Sequence, residues 1–254
     1  MFFVYIVGTA ASGKSLLTKS FSEWLEDHQL SVCIVNLDPA VRYLPYEPDV
    51  DVRRYVSYEK FLESGLGPNG AMIRAVDEIY NHVEFLRNEV EEYNADYVIV
   101  DTPGQIELFA FRKVTTGIIE RLSMNDKSTL VYVIDSSVIS KGDYDLDPYA
   151  FTSLLTLGIS VKLRLRLPQS MALNKVDLLS LQQLEKLSRW LEEPESILLD
   201  VQGEESGIVS RLIEMLTTHE FGDVITVSAL TEEGLDNLYA SIQRELYGGE
   251  DYST

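Results

Sequence analysis

The stretch Phe2-Phe3-Val4-Tyr5-Ile6-Val7-Gly8-Thr9-Ala10-Ala11-Ser12-Gly13-Lys14-Ser15 decides the fold. Its first six residues are apolar and rich in β-branched and aromatic side chains, and they read as a core strand. Gly8 through Ser15 then fits the pattern G-x4-G-K-[ST]. A helical pattern over Lys14–Asp27 follows, so the motif lies between a strand and a helix, the context it requires. There the glycines let backbone N–H groups wrap a phosphate, and the helix N-terminus adds a favourable dipole. On this reading Gly8, Ala10, Ala11, Ser12 and Gly13 line the phosphates. Lys14 reaches the β- and γ-phosphates, and the Ser15 hydroxyl ligates Mg²⁺. The N-terminus lacks a basic region and runs straight into the loop, so it reads as a first core strand and not as a signal peptide.

Outward from this stretch, short apolar runs alternate with longer amphipathic ones. Strands are expected at Phe2–Val7, Ser31–Leu37, Tyr97–Val100, Thr129–Ile134, Gln169–Leu173 and Asp223–Val227. Helices are expected at Lys14–Asp27, Ser57–Ser64, Ala71–Tyr93, Ile106–Leu122, Tyr149–Leu165, Leu181–Leu191, Ile208–Thr217 and Gly234–Tyr247. Nearly continuous apolar strands suit a parallel sheet covered on both faces. The alternation predicts a three-layer, doubly wound α/β fold of the P-loop type, with ligands bound at the carboxyl ends of the strands. The chain reads as one domain over residues 1–254, with insertions at about 39–70 and, as acidic helices, 178–222. The segment Gly248–Thr254 reads as frayed.

Composition narrows the chemistry. The 254 residues are 45% hydrophobic and 24% charged, ordinary for a globular chain, and no apolar run reaches the length of a membrane span. A formal charge of −20 argues against direct contact with nucleic acid or anionic lipid. The single cysteine, Cys33, lies in the apolar run Val32–Val35 and predicts a buried thiol in a cytoplasmic, reducing setting. The three histidines are scattered, so a bound metal is expected to be a hard, oxygen-ligated ion.

Four further motifs follow expected strands. Asp101-Thr102-Pro103-Gly104-Gln105 ends the third: Asp101 would hold Mg²⁺, Gly104 would bring its N–H near the γ-phosphate, and Gln105 would orient an attacking water. Asn174-Lys175-Val176-Asp177 ends the fifth. The Asp177 carboxylate can accept from guanine N1–H and N2–H₂, a donor pair adenine lacks. The Lys175 stem would pack along the base, and Asn174 would tie this loop to the phosphate loop. Ser228-Ala229-Leu230 follows the sixth and would offer a backbone N–H to the base carbonyl. Asn36-Leu37-Asp38-Pro39-Ala40 follows the second, where Asp38 could order the waters of Mg²⁺ or the attacking water.

In this order the motifs resemble the GTPases related to the signal-recognition-particle and MinD groups. Leu66-Gly67-Pro68-Asn69-Gly70-Ala71, between Asp38 and Asp101, narrows the resemblance to the GPN-loop GTPases, which this segment names. The resemblance covers essentially the whole chain and implies GTP/GDP as ligand, Mg²⁺ as cofactor, and a homodimer. It implies that Gly67, Pro68 and Asn69 of one subunit reach the phosphate end of the other's nucleotide. It also implies that Glu107, two residues after Gln105, helps hold the active arrangement. MinD-type relatives carry an early loop lysine where this chain has Thr9, which leaves the trans role to Asn69. The resemblance is to compact, archaeal-type members. Eukaryotic members assist RNA polymerase assembly, so a protein client of that kind is implied.

The leading expectation is therefore a GTP-driven switch in the assembly of a protein complex. The alternative is a nucleotide-dependent metabolite kinase or ligase on the same fold. A nucleotide-bound scaffold with little turnover is the third. Asn174–Asp177 and Gln105 favour the first, because they select guanine and water.

Overall fold

Alternation along the first strand sets the layers. In the computed structural model, which describes residues 1–203, 206–216 and 222–247, β1 (Phe2–Gly8) is buried from Phe3 onward. Phe3, Tyr5 and Val7 enter one core, and Val4 and Ile6 enter the other, as the two-residue repeat of a strand requires. The chain continues through α1 (Lys14–Asp27), β2 (Val32–Asn36), β3 (Val50–Asp51), α2 (Tyr58–Glu63) and α3 (Pro68–Tyr93). Then come β4 (Tyr97–Asp101), α4 (Ile106–Phe109), α5 (Lys113–Ser123), β5 (Lys127–Asp135), β6 (Ser140–Lys141) and β7 (Asp145–Leu146). The last elements are α6 (Pro148–Leu165), β8 (Gln169–Asn174), α7 (Leu181–Glu192), α8 (Ser206–Leu216), β9 (Val224–Thr226) and α9 (Leu235–Tyr247).

Seven strands form one parallel sheet in the order β3-β2-β4-β1-β5-β8-β9. Helices α1 and α9 pack on the face of Val4 and Ile6 through Leu17, Phe21, Leu25, Leu235, Leu238 and Ile242. Helices α3, α5 and α6 cover the other face, through residues such as Ile79, Ile118 and Phe151. From β1 the chain builds one half of the sheet and then crosses to the other, so a crevice opens at the carboxyl end of β1. The register sets Ile6 beside Asp101 and Gly8 beside Val133. This brings the phosphate loop and the end of β4 together at that crevice.

All six expected strands form. The structure departs from the sequence reading in four places. The segment 39–70 is not wholly outside the sheet, because Val50–Asp51 adds a short edge strand beside β2. The helix expected from Ala71 begins at Pro68, so Pro68-Asn69-Gly70 is its first turn and not a loop. Proline suits that position, where its missing N–H has no helical acceptor anyway. The helix expected over Ile106–Leu122 breaks at Ala110–Arg112, where Arg112 is extended and the Phe109 carbonyl accepts from the Thr115 hydroxyl at 2.6 Å. A small antiparallel pair, β6–β7, follows β5 unannounced by the sequence pattern. The expected helix end at Thr217 and the frayed segment 248–254 lie outside the described residues. Among the described residues no helix is long and apolar enough to cross a membrane.

Candidate functional site

The phosphate loop is built by two residues in the left-handed region. Ala11 has φ 63°, and Gly13, with φ 92°, sits at the N-terminus of α1. Gly13 is required twice over, since a Cβ there would stand 2.4 Å from Asn174 Nδ2. The loop is closed on itself: the Ser12 hydroxyl donates to Thr9 O at 2.9 Å, and Lys14 Nζ donates to the same carbonyl at 3.0 Å. Lys14 is 6% exposed. Burial lowers its pKa, and the charges of Asp101 and Asp38 oppose that shift. Held this way, the ammonium lies against the phosphate loop and is poised for an anion.

Two carboxylates face it. Asp101, 2% exposed at the end of β4, accepts from Tyr46 Oη at 2.8 Å, and the nearby Ser15 hydroxyl favours its charged form. Asp38, on the turn after β2, faces the backbone N–H groups of Ala40, Gly104 and Val41. Burial raises both carboxyls above the usual range, and Asp38 and Lys14 act on Asp101 in opposite directions. Among the described residues no cluster of three or more His, Cys, Asp or Glu could cage a metal. Two carboxylates and a hydroxyl are instead an oxygen set for a hard ion that completes its shell with phosphate and water. Mg²⁺ fits this description.

The raised carboxyl pKa values carry a prediction. A carboxyl whose folded pKa exceeds its unfolded value binds its proton more tightly when folded, so stability falls as pH rises from the unfolded value through the folded one. Asp101→Asn removes this penalty while keeping an acceptor for Tyr46. The nucleotide-free variant is expected to melt a few degrees above the parent at pH 7, with the gap closing as pH falls below the folded pKa. Calorimetry at neutral and acid pH checks this. A lower melting temperature at pH 7 would contradict it.

The turn bearing Asp38 rests on a network the sequence did not announce. Asn36 Oδ1 accepts from Asp38 N at 3.0 Å, and Asn36 Nδ2 donates to Asp51 Oδ1 at 2.9 Å. Asp51 in turn pairs with Arg53 at 2.6 Å, and Arg53 Nη1 reaches Val41 O at 3.2 Å. Gly104 closes the site from β4: a Cβ on it would stand 3.5 Å from both Lys14 Nζ and Ala10 Cα. Gln105 caps the short helix α4, and its Oε1 is buried without a partner among the described residues.

The second half of the site lies after β8 and β9. Asn174 is 1% exposed and bridges them, donating from Nδ2 to Ser12 O and accepting at Oδ1 from Ala229 N, both at 3.0 Å. Lys175, at φ 67°, sends Nζ to Ala11 O at 2.7 Å and to Asp135 at 2.6 Å. Asp177 is exposed and accepts from the Ser228 hydroxyl at 2.6 Å. Because Asn174 takes the Ala229 N–H, the N–H of the exposed Leu230 is the group in this loop left for a base carbonyl.

The structure thus brings together Gly8–Ser15, Asp38, Asp101 and Gly104, and joins them through Asn174 and Lys175 to Asp177 and Ser228–Leu230. It does not bring every expected residue to this crevice. Gly67, Pro68 and Asn69 are exposed at the start of α3, and Glu107 is exposed on the first turn of α4. Tyr46, Asp135 and the Asn36–Asp51–Arg53 network were missed. Leu44-Pro45-Tyr46, placed just after Asp38, was the available signal for Tyr46.

Residues 6–248 match a family model described as "conserved hypothetical ATP binding protein". The chain is 35% identical to the GPN-loop GTPase PAB0955 of Pyrococcus abyssi, over 92% of this chain and 93% of that one. It is 28% identical to GPN-loop GTPase 3 of Dictyostelium discoideum, over 97% and 87%. The crystal structure of PAB0955, described as a GTPase in apo form, superposes with a TM-score of 0.82 at 32% identity, covering 96% of this chain and 97% of that one. A motif order read from the sequence, a sheet that gathers those motifs and these matches over nearly the full length agree that the chain belongs to the GPN-loop GTPase family.

Proposed function

We propose that this GTPase is a magnesium-dependent conformational switch built from two copies of the chain and acting in the assembly of a protein complex. The observation that carries the reading is the Asn174 bridge. It makes one rigid unit of the phosphate loop and the loops that would read the base, so phosphate and guanine are sensed together. Lys14 and the backbone N–H groups of the loop hold the phosphates. Ser15 and Asp101 would hold Mg²⁺, with Asp38 ordering its waters, and the ion would neutralise charge on the phosphates. Gln105, next in sequence to Gly104, orients the attacking water, and its unpartnered Oε1 is an acceptor suited to that role once it turns toward the crevice. The nucleotide is GTP in one state and GDP in the other, and the change at the γ-phosphate is felt at Asp38 and Gly104.

Homodimer formation completes the reading. Asn69 is exposed and lies on a different element from the phosphate loop, so a second copy is the natural recipient of its amide. The client is taken to be a protein, of the RNA polymerase type by family resemblance. The charge of −20 suits a basic protein surface and disfavours nucleic acid and anionic membranes. A cytoplasmic setting agrees with a lone, buried, unpaired Cys33.

Phosphate release from GTP with no other substrate present tests turnover, and Asp177→Asn tests base reading. The carboxylate accepts from guanine at N1 and C2, while xanthine presents a carbonyl at C2 and needs a donor there. Loss of these charge-assisted bonds is expected to weaken GTP roughly 10- to 100-fold and to favour XTP. An unchanged GTP/XTP ratio would remove Asp177 from base recognition.

A further inference from the structure

Tyr46 reaches the buried end of β4 from a separate segment. Its phenol donates to Asp101 Oδ2 at 2.8 Å, across 55 residues of sequence. The Ser15 hydroxyl, on the first turn of α1, stands near the same carboxylate. Tyr46 lies in the connection from β2 to β3, in Leu44-Pro45-Tyr46-Glu47-Pro48. Two prolines restrict that backbone. Arg53 pins the connection through Val41 O, and Arg53 is itself fixed by Asp51, which Asn36 also holds. The phenol is therefore delivered by a braced scaffold and not by a loose loop.

We propose that Tyr46 is a positioning residue for the magnesium site: its hydroxyl fixes the plane of the Asp101 carboxylate, so that the acceptor meant for the ion is set before the ion arrives. This rests on the reading of Ser15 and Asp101 as the magnesium-binding pair. A carboxylate free to rotate would have to be ordered at the moment of binding, and that cost appears as weaker affinity for the ion. Partners that orient a metal ligand through a hydrogen bond contribute roughly 10- to 100-fold in metal affinity.

Tyr46→Phe removes the hydroxyl and keeps the ring. The measurement is the rate at which a fluorescent GDP analogue leaves the protein, titrated with magnesium from an EDTA baseline. The expected result is a magnesium midpoint raised at least about tenfold, with the EDTA rate unchanged and the melting temperature lowered by no more than a few degrees. A Mn²⁺ titration of the GDP-bound variant, read by electron paramagnetic resonance, is expected to show the same loss without relying on dissociation kinetics. An unmoved midpoint overturns the proposal. So does a lower melting temperature or a faster EDTA rate with the midpoint in place, since Tyr46 would then serve packing alone. A parent protein whose GDP release ignores magnesium is a different failure: it removes the assignment of Ser15 and Asp101, and the role of Tyr46 with it.

Discussion

Lys14→Ala is expected to lose guanine-nucleotide affinity by roughly 10²–10³-fold, with no compensating change in base preference. Truncating one partner of a buried, hydrogen-bonded charge pair costs about 2–5 kcal/mol, and about 1.4 kcal/mol is a factor of ten. Three features place Lys14 at the upper end of that range. It is 6% exposed, so its charge is poorly screened by water. Its amine is already oriented by Thr9 O, so little side-chain freedom is lost on binding. It is also the cation that opposes the buried charges of Asp38 and Asp101, which would otherwise repel a triphosphate. The same fact predicts that the variant is less stable without nucleotide, because two buried carboxylates lose their counter-charge. Binding is therefore measured by fluorescent GTP-analogue titration at a temperature where circular dichroism shows the variant folded. Affinity equal to the parent's would remove the phosphate-loop assignment.

The parts of the site that were legible in the sequence are those carried by consecutive residues after a strand. Gly8–Ser15, Asp101–Gln105 and Asn174–Asp177 each state their chemistry within a few positions, and parallel strands deliver all three to one edge. Longer-range pairings left no such trace. Tyr46 meets Asp101 across 55 residues, and Asp135 meets Lys175 across 40. Neither is marked by periodicity, because a single side chain crossing a crevice has no repeat. The break between α4 and α5 was hidden for another reason. Ile106–Leu122 carries a continuous helical pattern, but the Thr115 hydroxyl takes the Phe109 carbonyl and lets the chain turn at Arg112. The short strand Val50–Asp51 is too brief for an alternation signal, and only pairing with Val35 and Asn36 defines it. The Ala229 N–H illustrates the limit of reading by position. The segment Ser228-Ala229-Leu230 offers three such groups by position, but Asn174 Oδ1 claims that of Ala229, which a single side chain from another strand decides.

Mixed dimers are expected to recover activity that neither parent variant has, if Asn69 acts across the subunit boundary. Pro68-Asn69-Gly70 forms the first turn of α3, exposed to solvent, while the phosphate loop leads into α1. An amide side chain offers a donor for γ-phosphate oxygens and an acceptor for the attacking water, a pairing the buried site otherwise draws from Lys14 and Gln105. Thr9 stands where a trans lysine would have to be, so the chain has no such cation at that position to lend to a partner. Loss of one preorganised donor aimed at developing charge costs roughly 10²–10³-fold in rate, so Asn69→Ala is expected to hydrolyse GTP that much more slowly while still binding it. Lys14→Ala fails for the opposite reason, because it does not hold nucleotide. Combined in one dimer, the Asn69→Ala subunit keeps an intact phosphate loop and receives Asn69 from its Lys14→Ala partner. That site is complete and the other is doubly defective, so phosphate release is expected to return to at most half the parent rate. Differently tagged copies, purified through both tags in sequence, supply the heterodimer for the assay. If verified heterodimers release phosphate no faster than the two variants alone, Asn69 serves its own subunit or caps α3, and the trans arrangement is wrong.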